Sequence, residues 1–144
     1  MPAKDIYHDT VKRALITDGW TIIKENLQLP WGGTRAYIDI IADEVFGAEK
    51  DGRKIAVEVK SFIGKSNLSE FEKAIGQFII YRFAMRREDA ERQLFLAVGE
   101  KIYNKLFVHP DVIELIETED LKVLVFDEAR EVIVRWINQE IIGG

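Results

Sequence analysis

Hydrophobic and polar positions divide this chain into segments of two different periods. From Ala3 to Asp18, apolar residues recur at helical spacing. Ile6, Tyr7, Thr10, Val11, Ala14 and Leu15 form one stripe, and Asp5, His8, Asp9 and Lys12 line the other side. Gly19 stops that helix. Alternating and β-branched runs then predict three strands, over Trp20 to Glu25, Arg35 to Val45 and Lys54 to Ser61. The first two are joined by a loop, Leu29-Pro30-Trp31-Gly32-Gly33, and the last two by a turn over Gly47 to Arg53. Ser69 with Glu72 three residues on has the form of a capping box and predicts a long helix from Glu70 to Glu88. Gln93 to Val98 is nearly all apolar and reads as an internal strand. A short amphipathic stretch follows over Lys101 to Phe107, and Pro110 marks the start of a further helix. Lys122 to Phe126 and Glu131 to Trp136 read as closing strands. Helix, three strands, helix, strand, then a helical segment and two strands predict an α/β fold, a mixed sheet with helices on its faces.

Composition narrows the function more than the fold. The 144 residues carry no repeat and no Pro/Gly/Ser-rich linker, which predicts one domain over 1–144. No apolar run nears the roughly 20 residues of a bilayer span. The charged start (Lys4, Asp5) offers no apolar leader, and a cytoplasmic protein without membrane contact is the expectation. The absence of cysteine excludes disulfides, thiolate catalysis and Cys-bound zinc. A net charge of −5 argues against a nucleic-acid coat protein but leaves room for a local basic rim around an acidic centre.

Candidate chemistry enters where charges interrupt apolar strands. Ile55, Val57 and Val59 share one face of the third strand, and Glu58 and Lys60 share the other. Asp39 is set among apolar neighbours on the strand before. Charges in such places cost desolvation energy unless they are partnered or used. Asp39 and Glu58, with the Val59 carbonyl as a third ligand, could hold Mg²⁺ or Mn²⁺, which favour oxygen donors. Lys60 could then orient a water or stabilise developing charge. The plain alternative is a Glu–Lys pair on a half-solvated strand face.

On the long helix, Lys73, Gln77 and Tyr81 share a face beside the packing residues Ala74, Ile75, Phe78 and Ile79. Gln77 can meet a metal-bound water and Tyr81 a phosphate, although a polar edge beside a core stripe gives the same pattern. Arg82, Arg86, Arg87 and Arg92 could form a phosphate-binding rim or could answer a helix dipole. Lys65, Ser66 and Asn67 could touch DNA or form an ordinary polar loop. Trp31-Gly32-Gly33 suits either a lid or a turn anchored by an aromatic. His8 on a polar helix face reads first as a solvated histidine.

Asp39, Glu58-Val59-Lys60 and Gln77-x-x-x-Tyr81 together resemble the PD-(D/E)xK nuclease superfamily, in its RecB-like and Holliday-junction-resolvase-like branches. Over roughly residues 3 to 137 the chain resembles the XisH-type fdxN element excision controlling factors of cyanobacteria. That likeness is carried by Ala3-Lys4-Asp5…His8, Asp18-Gly19-Trp20, Ile55-Ala56-Val57-Glu58-Val59-Lys60-Ser61-Phe62 and Ala74-Ile75-Gly76-Gln77. The superfamily implies a restriction-endonuclease-like αβββαβ core and a Mg-dependent endodeoxyribonuclease. It places Asp39, Glu58 and Lys60 in the metal and catalytic slots and Gln77 and Tyr81 in the helix motif, with His8 or Asp5 filling a first-helix slot. Lys65, Lys73, Arg82 and Arg86 are the candidate nucleic-acid contacts. The XisH likeness implies a role in programmed DNA rearrangement beside a site-specific recombinase and a small companion protein. Its fdxN name denotes a genetic role, so a non-catalytic DNA-binding or interaction factor is the alternative. A homodimer is expected only by analogy with nucleases that cut both strands.

Overall fold

A computed structural model describes residues 4–44 and 52–139. Its elements run α1 (His8–Thr17), β1 (Thr21–Trp31), β2 (Thr34–Asp43), β3 (Lys54–Val59), α2 (Asn67–Glu88), β4 (Gln93–Gly99) and α3 (Glu100–Ile102). A π-helical turn, Tyr103–Phe107, continues α3, followed by α4 (Pro110–Thr118), β5 (Val123–Asp127) and β6 (Val132–Ile137). The six strands form one mixed sheet in sequence order. β1–β2, β2–β3 and β5–β6 are antiparallel, while β3–β4 and β4–β5 are parallel. The mixed α/β architecture read from the pattern is present. Among the described residues no helix is long and apolar enough to cross a membrane.

Each sheet face carries its own core. On one, α1 buries Val11 and Leu15 against Ile40, Ala42, Ile55, Val57, Val59, Phe95 and Phe126. On the other, α2, the π turn and α4 bury Phe71, Phe78, Met85, Phe107 and Ile116 against Ile38, Ala56, Leu94, Leu96 and Val98. The internal strand β4 is buried on both faces, as its apolar run requires.

The boundaries differ from the expectation at three places. β1 runs on to Trp31, so Leu29 and Pro30 belong to the ladder; Pro30 is tolerated because β1 is an edge strand. Only Gly32 and Gly33 make the turn, at φ 55° and 75°. A two-residue hairpin with positive φ at both positions is the form that matches strand twist, and glycine adopts it without strain. Second, α2 starts earlier. Ser66 is its N-cap and accepts the Ser69 N–H at 3.2 Å, so Ser69 is the capped residue and not the cap. Third, α1 begins at His8, leaving Ile6 ahead of the helix and exposed. The start at Ala3, the end of β2 at Val45 and most of the Gly47 to Arg53 turn lie outside the described residues.

One irregularity matters for the site. Glu25 pairs with Ile40 and Leu27 with Ile38, so Asn26 stands across from Asp39 in unbroken register. Yet Ile38 and Leu27 pack on the α2 side, whereas Ile40 packs on the α1 side and Glu25 reaches α1. Residues two apart in a strand should share a face. The hairpin therefore reverses its alternation at Asn26–Asp39, and Asn26 takes φ 54° to allow it.

Candidate active site

β2 and β3 stay paired from Asp43 opposite Lys54 to Ile40 opposite Val57, and there the ladder ends. One step beyond, Asp39 faces Glu58 across the divergence. On its far side, β3 stays bonded to β4, with Lys60 N–H donating to the Ala97 carbonyl at 3.0 Å. Alternation along the backbone then aims the Val59 N–H and carbonyl at the β2 side. Asp39 Oδ2 accepts that N–H at 2.7 Å, supplying by a side chain the bond that the ladder no longer makes.

This places two carboxyls in contact in a half-buried gap. Burial, chiefly, pushes both upward: Asp39 above its usual value and Glu58 well above. The charge of Asp39 raises Glu58 further, and the hydrogen bond the two carboxyls share raises Glu58 while it lowers Asp39. Lys60 pulls the opposite way on Glu58, which puts its ammonium within electrostatic reach. Glu58 Oε2 is fully buried and meets no donor. Such an orphaned oxygen between like charges costs free energy unless a cation completes it. An oxygen set of two carboxylates and the Val59 carbonyl fits a Mg²⁺ or Mn²⁺ ion held by few protein ligands.

The helices bring further groups in. Tyr81 lies in the α2 core stripe with Phe71, Ala74, Phe78 and Met85, and is partly buried. Burial first, then the charges of Glu58 and Asp39, raise its hydroxyl above the usual tyrosine value; the Tyr37 backbone N–H works the other way. Tyr81 thus reaches the carboxylate pair from the α2 side. Gln77, one turn earlier, is half-buried on the same face, and Lys73 is exposed. Ile79, assigned to packing, is instead exposed. From the opposite side, Asp5 Oδ2 accepts the Ser61 N–H at 2.9 Å, and both Asp5 and His8 act electrostatically on Asp39.

His8 overturns the solvated reading. It is 1 % exposed, with Nε2 2.7 Å from Glu25 Oε1. Glu25 Oε2 also accepts from Lys12 Nζ at 3.0 Å. Sequence reasoning missed Glu25, which reads as an ordinary strand-end acid until β1 is known to pass beneath the start of α1.

The arginine rim is mostly spent elsewhere. Arg82 donates to the Glu119 and Asp120 carbonyls and so caps the C-terminal end of α4. Arg87 donates to the Pro30 carbonyl and stacks 5.1 Å over Phe83 and 5.6 Å over Trp31. Trp31 packs edge-on against Phe83, so the Trp31–Gly33 segment is an anchored turn. Arg92 is nine-tenths buried between Asp43, Asp89 and two strand carbonyls. Arg86 and Lys65 are exposed.

A search of the curated proteins finds no match. Among solved structures, an XisH family protein from Nostoc punctiforme is 43 % identical, with a TM-score of 0.81 over 92 % of this chain and 99 % of that one. An fdxN element excision controlling factor protein from Anabaena variabilis is 42 % identical, with the same TM-score over 93 % and 99 % of the two chains. The family model for XisH protein matches residues 1–134. The chain therefore belongs to the XisH family.

Proposed function

We propose that this protein is a divalent-cation-dependent DNA nuclease of the PD-(D/E)xK type, with a restriction-endonuclease-like core. In this reading it acts in the kind of DNA rearrangement that the fdxN name of its Anabaena relative implies. The observation that carries the reading is the pair Asp39–Glu58: two acids in contact where two strands part, with one buried oxygen unanswered. A structural salt bridge would have put a cation there; Lys60 is near but does not close the gap. Asp39, Glu58 and the Val59 carbonyl would hold Mg²⁺ or Mn²⁺. Bound there, the ion would lower the pKa of a water and neutralise charge on the phosphate. Lys60 would position the water and stabilise the charge that develops. Gln77 and Tyr81 would orient the phosphate from α2, and His8 would approach from α1. Lys65, Lys73, Arg82 and Arg86 are the proposed DNA contacts, Arg82 with the donors its cap leaves over. A small companion protein, a site-specific recombinase and a second copy of the chain remain partners by family likeness alone.

The test is Mn²⁺ anomalous scattering in crystals together with DNA cleavage. Density between Asp39 and Glu58, and Mg²⁺-dependent cleavage reduced at least 100-fold in folded Glu58→Ala and Lys60→Ala proteins, is the expected result. A Lys60→Ala protein with full cleavage would remove the mechanism. DNA binding without any cleavage, unchanged in Glu58→Gln, would favour the second reading, a non-catalytic factor that assists a recombinase. The net charge of −5 is what favours that reading's protein-contact version.

A further inference from the structure

We propose that the outward face of α2 is a homodimer interface, on which a second copy of this chain lays its own α2 antiparallel about a two-fold axis at Ile79. This surface is separate from the candidate active site and does not depend on what that site does.

α2 is apolar on two sides. Phe71, Ala74, Phe78 and Met85 turn to the sheet and are buried. Leu68, Ile79 and Phe83 turn outward and are 66 %, 41 % and 51 % exposed. A helix on the surface of a domain ordinarily keeps polar residues on that side. On a helix of about 100° per residue, Leu68, Glu72, Ile75, Phe83 and Arg86 all lie within about 40° of Ile79. Their steps of three and four residues are those of a seam between two helices. Trp31 and Arg87 cover part of the Phe83 ring and leave the rest outward. Gly76, exposed at the flank of this stripe, has no packing reason in its own chain, since a Cβ there would meet nothing within 4 Å. Glycine inside a helix costs stability relative to alanine, and the bare backbone admits another helix closely.

Charge identifies the occupant as a second copy. Glu72 stands seven residues before Ile79 and Arg86 seven after it, and Ile75 and Phe83 stand four before and four after. Antiparallel pairing about Ile79 therefore sets Glu72 against Arg86 of the second copy, and Ile75 against its Phe83, each contact made twice as a two-fold axis requires. Parallel pairing would face acid with acid and arginine with arginine. Glu72 and Arg86 are exposed, and neither makes a hydrogen bond or ion pair among the described residues. Arg82 and Arg86, one turn apart, oppose each other's charge, which an outside carboxylate relieves. The antiparallel arrangement also sets opposite ends of the two helix dipoles together. A nucleic acid would answer the arginines but would bring phosphates against Glu72 and the apolar stripe, so a second copy fits more of this face. The pair leaves Arg86 donors over for a phosphate beyond the seam. Gln77 and Tyr81, two residues either side of Ile79, lie on the opposite side of the helix, so the carboxylate gap stays uncovered.

The experiment is sedimentation equilibrium of the full chain at low salt, from micromolar to millimolar concentration, where a single helix pair at the small end of interface sizes should associate. The mass is expected to rise from that of one chain toward that of two. Glu72→Arg and Arg86→Glu should each weaken association at least about tenfold by placing like charges together, and the double variant should restore it. Both residues are exposed, and thermal melts check that the variants fold. The chain has no cysteine, so Ile79→Cys on the axis should give a covalent dimer on mild oxidation, whereas Ile113→Cys, exposed on α4, should not. A single-chain mass throughout, association unchanged by the single reversals, or no rescue in the double variant overturns the proposal. Loss of DNA binding in Arg86→Glu without self-association of the wild type assigns the arginine to DNA and overturns it as well.

Discussion

Asp39 Oδ2 accepts the Val59 amide N–H at 2.7 Å, across a gap where β2 has already left β3. One side chain thus closes the sheet and presents its remaining oxygen toward Glu58. Structure and chemistry compete for the same carboxylate, and this gives the site a measurable signature without substrate.

That signature is a pH dependence of stability. Burial raises Asp39 and Glu58 above their unfolded values, the charge of Asp39 adding to the rise of Glu58, so the folded protein holds these protons more tightly. The contribution is fully present below the unfolded carboxylate pKa and is lost as pH rises through the raised folded values. Other acids, including Glu25, are depressed and contribute in the opposite sense, so a difference between two proteins is the clean measure. Metal-free Glu58→Gln should melt progressively higher than wild type as pH increases from 5 to 8. Millimolar Mg²⁺ should shrink that difference by stabilising wild type alone. Equal melting temperatures across this range would contradict the charge pair.

Tyr81 offers an optical check on the same gap. Its hydroxyl is raised by burial and by Glu58 and Asp39, so it should ionise above the usual tyrosine range, as a late component of an alkaline absorbance titration. Tyr81→Phe should remove the late component. Glu58→Gln should shift it earlier by removing one of the neighbouring charges. A titration with no late component in wild type would place Tyr81 away from the acids.

Arg92 should be the costliest surface-facing arginine to lose. It binds Asp43 Oδ1 at 2.7 Å, Asp89 Oδ2 at 3.3 Å and the Ala42 and Ile55 carbonyls at 3.2 and 3.1 Å while 10 % exposed. Arg92→Ala strands these acceptors and should destabilise by ~3 kcal/mol. Arg92→Lys should recover little, since one ammonium cannot span a planar donor fork. Urea unfolding measures both; a loss under ~1 kcal/mol for the alanine would contradict the clamp.

The hairpin turn tests backbone conformation alone. A Cβ at Gly32 or Gly33 would meet nothing within 4 Å, so any cost arises from positive φ. Gly33→Ala should cost ~1 kcal/mol and Gly32→Asn almost nothing, because asparagine tolerates the left-handed region. Thermal melts of both proteins read the difference.

Much of this architecture was legible because burial leaves a periodic trace. Val57 and Val59 announce a core face, and Asp39 and Glu58 stand out as acids among apolar residues. Pro110 and the apolar run Gln93 to Val98 mark a helix start and an internal strand, as found. What escaped was decided by partners distant in sequence. His8 counts as polar on a helical wheel, and only Glu25, 17 residues on, makes its burial affordable. Arg82 and Arg87 look like a basic patch until the end of α4 and the Pro30 carbonyl take them up. Ser66 and Ser69 are equally good caps by residue type, and the loop geometry chose the earlier one. Ile79 and Tyr81 exchanged roles because α2 lies on the sheet along Phe71, Phe78 and Met85.

The switch of faces at Asn26 and Asp39 gives the β1–β2 ribbon two allegiances. Its tip, from Leu27 to Ile38, is anchored to the layer of α2, whereas its base adds the layer of α1 through Ile22, Ile40 and Ala42 and keeps only Ile41 on the α2 side. Amide protons in these halves should exchange with solvent along with different helices, although they lie on the same two strands. The carboxylate at their junction then sits on a seam between two cooperative blocks, where a ligand gripping it would fasten one to the other.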